Sequence, residues 1–149
     1  MKLSIVTTLF KSAAYVAGFH ERATRAAAAM TPDYEILFVN DGSPDDAAER
    51  AIALHQRDRH VRVLDLSRNF GHHRAMMTGL EHARGDLVFL LDVDLEEQPE
   101  WLGQFEQVMR ETGADVVYGV QSRRKGGAFG RANWQWEERC RLANRTARW

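Results

Sequence analysis

The sequence predicts an α/β fold, a mainly parallel sheet flanked by helices. Three observations carry that reading. Short apolar runs rich in Ile, Val, Leu and Phe alternate with helix-period segments through roughly the first 120 residues. The runs break into polar turns, as at Asn40-Asp41-Gly42-Ser43-Pro44 and Ser67-Arg68-Asn69-Phe70-Gly71. The stretch Leu87 to Leu91 is unbroken, reads as a strand buried on both faces, and ends in Asp92, Asp94, Glu96 and Glu97.

Taken in order, Leu3 to Leu9 is rich in Ile, Val and Thr and reads as the first strand. Ala13 to Met30 places Tyr15, Val16, Phe19, Ala23 and Ala26 at helical spacing. After the turn Thr31-Pro32-Asp33, Glu35 to Val39 forms the second strand. Ser43 is expected to cap the second helix, with Pro44 in its first turn and Asp45 to Gln56 as its body. Val61 to Leu66 is a third strand and His72 to Ala83 a third helix, which Gly85 stops. Asp86 starts the next strand and steadies the turn before it. Pro99 opens a helix over Trp101 to Glu111, and Asp115 to Val120 reads as a fifth strand. A basic glycine-rich loop, Ser122 to Arg131, and a final helix from about Ala132 to Arg148 close the chain.

Composition narrows the class. The 149 residues, 44% hydrophobic and 28% charged, suit a globular body with a real core. One cysteine, Cys140, excludes an internal disulfide. The N-terminus reads as a strand and not a signal peptide, and no stretch approaches the roughly 18 apolar residues of a membrane span. The net charge of −1 hides an asymmetry: from Arg123 on, eight Lys/Arg stand against two Glu. An acidic, ion-ready core over residues 1–122 is therefore expected, followed by a basic loop and amphipathic helix over 123–149.

Acidic groups at the carboxyl end of a buried strand sit where open α/β sheets place ligands. Asp41, Asn69 and Asp92 all lie just beyond strands, so one cleft is expected to hold all three. Residues two apart in an extended segment point the same way, so Asp92 and Asp94 can converge on one ion. Oxygen ligands favour a hard cation, Mg²⁺ or Mn²⁺. His72 and His73 are adjacent on a helix and point in different directions, which argues against a metal pair or a general base there.

Three pieces in this order and spacing resemble the family 2 glycosyltransferases, inverting enzymes of the GT-A fold. They are Val39-Asn40-Asp41-Gly42-Ser43-Pro44-Asp45; then Arg68-Asn69-Phe70-Gly71 with Ala75, Gly79 and Ala83; then Gly85-Asp86 leading to Asp92-Val93-Asp94-Leu95. The likeness is greatest to the polyprenyl-phosphate branch, which includes dolichyl-phosphate mannose synthases and bactoprenol glucosyltransferases. The resemblance implies a nucleoside-diphosphate sugar donor and a lipid-linked phosphate acceptor, with transfer by inversion. It implies that Asp41 bonds the nucleotide base, that Gly42, Ser43, Asn69 and Gly71 shape the nucleotide pocket, and that Asp92 and Asp94 handle the diphosphate through the metal. Asp94 is then the direct ligand. Relatives often carry Gln where this chain has Glu96, still an oxygen donor to the metal but charged. Arg123 and Arg124 would stabilise the leaving diphosphate or hold the acceptor phosphate. The plain alternatives stay open: an Asx-turn at Asp41, helix-capping carboxylates at Asp92 and Asp94, turn chemistry at Asn69 and Gly71, and a solvated basic loop.

The first strand departs from the family, which usually has Pro-x-Tyr-Asn-Glu after it. Here Thr8-Leu9-Phe10-Lys11-Ser12 keeps only the aromatic, so Thr8 and Phe10 are expected to line the nucleotide site. Relatives also continue well past this length, so the chain reads as the donor-binding body of such an enzyme, truncated on its C-terminal side. Trp134, Trp136 and Trp149 among Arg131, Arg139, Arg141, Arg145 and Arg148 suit a membrane interface, which would place 131–149 at the inner face of the cytoplasmic membrane. A helix packed on its own domain or in a homo-oligomer is the alternative. Nucleic-acid binding is disfavoured because the acidic body would repel phosphates. The rival functions are a catalytically silent sugar-nucleotide-binding module and a phosphatase of the haloacid dehalogenase type. The latter is discounted because its Asp-x-Asp lies on the first strand and here follows the fourth.

Overall fold

The computed structural model of the chain describes residues 1–119. In chain order they form β1 (Leu3–Leu9), α1 (Ala13–Met30), β2 (Tyr34–Asn40), α2 (Ala47–His55), β3 (Val61–Asp65), α3 (His72–His82), β4 (Leu87–Leu90), a 3₁₀ turn (Pro99–Trp101) and α4 (Leu102–Thr112). The strands pair in the order β3-β2-β1-β4, all parallel. Two compact units result, Met1–Leu102 and Gly103–Trp149, the second opening inside α4. Within the second unit, Arg110 and Glu106 pair one turn apart on α4, and Gly113 closes the helix at φ 65°.

Side chains of successive strand residues point to opposite faces, and that alternation sorts the core. Leu3, Ile5, Leu9, Ile36, Phe38 and Val61 pack with Val16, Phe19, Ala23 and Ala27 of α1 and Ala47 and Ala51 of α2. Phe19 meets Phe38 edge-on at 5.8 Å. Val6, Leu37 and Val39 pack instead with Ala75 of α3. A Cβ on Gly79 would stand 2.5 Å from Val6 Cγ1, so only glycine lets α3 lie this close to the sheet.

The amino edge of the sheet is closed by one carboxylate. Glu35 is 4% exposed and accepts from Ser4 Oγ at 2.6 Å, from the Arg84 N–H at 2.7 Å and from Arg62 Nη1 at 2.7 Å. Burial alone would raise its pKa, but these donors outweigh it and hold the carboxyl below its usual range. Ser4 also receives the Gly85 N–H at 2.8 Å, and Asp86 takes the Lys2 N–H at 2.8 Å. Four segments are thereby stitched together at the amino ends of the strands.

Several expectations need correction. β4 is not buried on both faces: it lies at the sheet edge among the described residues, and Val88 is 42% exposed. The strands buried on both faces are β1 and β2. Ser43 does not cap α2, which begins at Ala47 with Asp46 before it, because the Ser43 hydroxyl is engaged elsewhere. α3 ends with Ala83 in extended backbone, and Gly85 serves to let the chain pass against Ser4. Asp115 to Gly119 is not a strand. Val120, the basic loop and the final helix lie outside the described residues. No helix among the described residues is long and apolar enough to cross a membrane.

Candidate functional site

Because all four strands run the same way, their carboxyl ends share one edge. Chain order reverses between β1 and β4, and at such switch points open α/β sheets form their ligand crevices. Thr8 and Phe10 end one flank and Asp92 begins the other.

On the β2 side, Asp41 is 2% exposed. Its Oδ1 accepts the Phe70 N–H at 2.7 Å and its Oδ2 the Gly71 N–H at 3.0 Å. The carboxylate therefore pins the loop after β3, leaving one further lone-pair site on each oxygen. Gly42 makes this possible: at φ 60°, its missing Cβ would sit 2.5 Å from the Asn69 nitrogen. Asp41, Gly42, Asn69 and Gly71 are thus one assembly, with Asn69 itself exposed. Ser43 Oγ accepts the Lys11 N–H at 2.7 Å and donates to Asp45 Oδ1 at 2.5 Å, while Asp45 Oδ2 takes the Ala13 N–H at 2.9 Å. The β2–α2 corner is thereby tied to the β1–α1 corner, where Phe10 stands 46% exposed.

Gly71 leads directly into α3, and there the structure adds a residue that sequence reasoning discounted. His72 Nδ1 lies 3.1 Å from Thr8 Oγ1, and its Nε2 lies 3.5 Å from Asp92 Oδ1. The His72 and His73 rings meet edge-on, with centroids 5.7 Å apart and 76° between their planes, and their adjacency on the helix counted only against a pair. It did not bear on one imidazole acting alone. A contact path runs from Asp41 through Phe70, Gly71 and His72 to Thr8 and Asp92, across the switch point.

Beyond β4 the chain alternates in and out without being a strand. Leu91, Val93 and Pro99 are buried, Leu95 and Glu97 partly so, while Asp92, Asp94, Glu96 and Gln98 are exposed. Leu95 packs on the core with its backbone in the left-handed region, φ 64°. Two local bonds shape the acidic run: the Glu96 N–H to Asp94 Oδ1 at 3.0 Å and the Asp92 N–H to Glu97 Oε2 at 3.2 Å. Arg22 of α1 clamps its far end through two bonds to Glu100, at 2.9 and 2.6 Å. Burial first, and then the charges of Asp92, Asp94 and Glu96, push the Glu97 carboxyl above its ordinary range.

Asp92, Asp94 and Glu96, the expected metal trio, are each exposed. Among the described residues no three His, Cys, Asp or Glu side chains come together as a ready metal cage. The donor chemistry nonetheless suits a hard cation, since Mg²⁺ is commonly held by one or two carboxylates with substrate phosphates completing the shell. Crowding of four carboxylates onto one short run is the feature that a bound cation would relieve. Arg123 and Arg124 lie outside the described residues.

This is a GT-A fold, with its carboxyl edge laid out by β1, β2 and β4. The model of glycosyl transferase family 2 matches residues 4–148, and the chain belongs to that family. It is 59% identical over 127 residues to a Mycobacterium tuberculosis (strain CDC 1551 / Oshkosh) protein described as a glycosyltransferase, covering 85% of this chain and 37% of that one. It is 36% identical over 129 residues to the undecaprenyl-phosphate 4-deoxy-4-formamido-L-arabinose transferase of Yersinia pestis (strain Pestoides F), covering 86% of this chain and 39% of that one. The chain thus spans about two-fifths of these relatives' length. Among solved structures, Staphylococcus aureus TarS 1–349 in complex with UDP-GlcNAc superimposes with TM-score 0.59 at 23% identity, over 83% of this chain and 36% of that one. The mannosyltransferase PcManGT of Pyrobaculum calidifontis, in complex with GDP-Man and Mn²⁺, gives TM-score 0.64 at 16% identity, over 79% and 34%. At these identities the likeness is one of fold.

Proposed function

We propose that this chain is the donor-binding part of a divalent-metal-dependent glycosyltransferase that moves a sugar from a nucleoside diphosphate to a polyprenyl phosphate, with inversion. The observation that carries it is the carboxyl edge itself. A pinned loop at Asp41 and an exposed acidic face at Asp92, Asp94 and Glu96 flank the switch point, with Thr8 and His72 between them. The relative named for undecaprenyl phosphate supports the acceptor, and the neighbours bound to UDP-GlcNAc or to GDP-Man with Mn²⁺ support donor and metal.

In this reading the base lies against the corner of Asp41, Gly42, Ser43, Asn69 and Gly71, with Phe10 and Thr8 along its β1 side. Asp41 holds the loop and offers its remaining lone pairs to the base. Asp92, Asp94 and Glu96 would hold Mg²⁺ or Mn²⁺ together with the diphosphate, with Asp94 as the direct ligand. When bound, the cation supplies Lewis-acid neutralisation of the leaving diphosphate. Arg123 and Arg124 are assigned the same charge from the protein side. The acceptor phosphate is already an anion, so a single in-line displacement asks little of a general base. The core over 1–122 would do this work, with 123–149 facing acceptor and membrane.

The test is calorimetric titration with UDP-glucose, GDP-mannose, UDP-N-acetylglucosamine and dTDP-glucose, each with Mn²⁺ and with EDTA. Metal-dependent binding of one donor is the expected result and names the nucleotide. Failure of a folded chain to bind any of them would count against the reading.

A further inference from the structure

We propose that His72 is a positioning residue for the acidic face: it fixes the Asp92 carboxylate so that Asp92 and Asp94 present oxygens to one cation. This rests on the donor-site reading above.

Three elements converge on this imidazole. β1 supplies Thr8, 9% exposed, whose hydroxyl lies 3.1 Å from Nδ1. α3 supplies His72 in its first turn, and the backbone entering that turn is held by Asp41 through the Phe70 and Gly71 N–H groups. The segment after β4 supplies Asp92, whose Oδ1 lies 3.5 Å from Nε2. The Asp92 charge favours the tautomer with its proton on Nε2, which leaves Nδ1 to accept from the Thr8 hydroxyl. The ring is therefore held on one side while its N–H faces the carboxylate on the other.

Asp92 needs such a partner. Among the described residues its own side-chain contact is to His72, while its backbone N–H is tied to Glu97. Asp94 differs, because its Oδ1 is already oriented by the Glu96 N–H. Carboxylates that bind metal are themselves held by outer hydrogen bonds, and losing such a partner typically weakens metal affinity roughly 10- to 100-fold. The same imidazole spans the β1/β4 switch point, so it couples the acidic run to the pinned nucleotide corner.

The test uses the 149-residue chain and electron paramagnetic resonance of free Mn²⁺, titrated alone and with UDP or with GDP. His72→Ala is expected to weaken Mn²⁺ binding about tenfold with little change in melting temperature. His72→Gln places an amide N–H where Nε2 stood and is expected to restore most of that affinity. His72→Asn reproduces only the Nδ1 side, toward Thr8, and is expected to restore none. Wild-type affinity in His72→Ala would overturn the assignment, as would rescue by Asn equal to that by Gln, which would mean that His72 acts through Thr8. Asp94→Asn separates the two claims. If it binds Mn²⁺ as wild type does, the donor-site reading fails; if it loses Mn²⁺ while His72→Ala keeps it, only the role of His72 falls.

Discussion

The amino edge of the sheet and the acidic run beyond β4 use their polar groups in opposite ways. At the amino edge, Glu35 is surrounded by Ser4, Arg62 and the Arg84 N–H, and its charge is fully answered. In the run beyond β4, Asp92, Asp94, Glu96 and Glu97 crowd together, and among the described residues Asp92 pairs with His72 at 3.5 Å. One edge is satisfied and stabilises the fold. The acidic run beyond β4 holds uncompensated charge, which costs stability unless a counter-ion or ligand answers it. The lesson is that electrostatic satisfaction, more than burial or motif, separates the structural end of this domain from the end proposed as its working end.

The largest expected effect tests the satisfied edge. Glu35→Ala strands Arg62, Ser4 and the Arg84 N–H and should cost about 3 kcal/mol in urea unfolding. A loss below about 1 kcal/mol would break the comparison. Asp41→Ala should come next, at about 2 kcal/mol, because the half-buried N–H groups of Phe70 and Gly71 lose a charged acceptor. It should also loosen the residue 68–71 loop, visible as faster amide exchange at Phe70 and Gly71.

Acid sharpens the contrast. Glu35 and Asp58 both lie below their usual range; in each case burial raises the pKa, but hydrogen bonds outweigh it, and for Asp58 these include the His20 and His60 side chains. A depressed folded pKa contributes stability that is present above the unfolded value, roughly 4.3 for Glu and 3.9 for Asp, and is lost as pH falls through the folded value. The urea midpoint should therefore drop below about pH 4, and Glu35→Gln should flatten that drop. An unchanged slope in Glu35→Gln would remove Glu35 from the acid transition. The smallest stability effect belongs to the unsatisfied edge: Asp94→Asn should alter unfolding by no more than about 0.5 kcal/mol, since it removes one charge from a repelling cluster.

The fold was largely legible because β-branched and aliphatic runs bounded by turns specify parallel strands directly. Leu3 to Leu9 and Ala13 to Met30 match the observed elements at both ends. The burial of Leu87 to Leu91 was not legible, since an apolar run does not say whether its strand lies inside the sheet or at an edge. Ser43 had the chemistry of a helix cap, but its chain neighbour Asp45 and Lys11, which the tertiary fold brings near, claimed its hydroxyl. The acidic run and the Asp41 corner stood out because local spacing marks them. The role of His72 was hidden for the same reason in reverse: its partners Thr8 and Asp92 are distant in the chain and meet it only once β1, α3 and β4 are assembled.

The measurement that bears most directly on the working edge is donor binding by Asp94→Asn beside wild type, with Mn²⁺ present and with EDTA. The expected result is an unchanged melting temperature together with loss of metal-dependent sugar-nucleotide binding. Equal donor affinity in the two proteins, with the same response to EDTA, would contradict the assignment of this acidic face as the metal and diphosphate site.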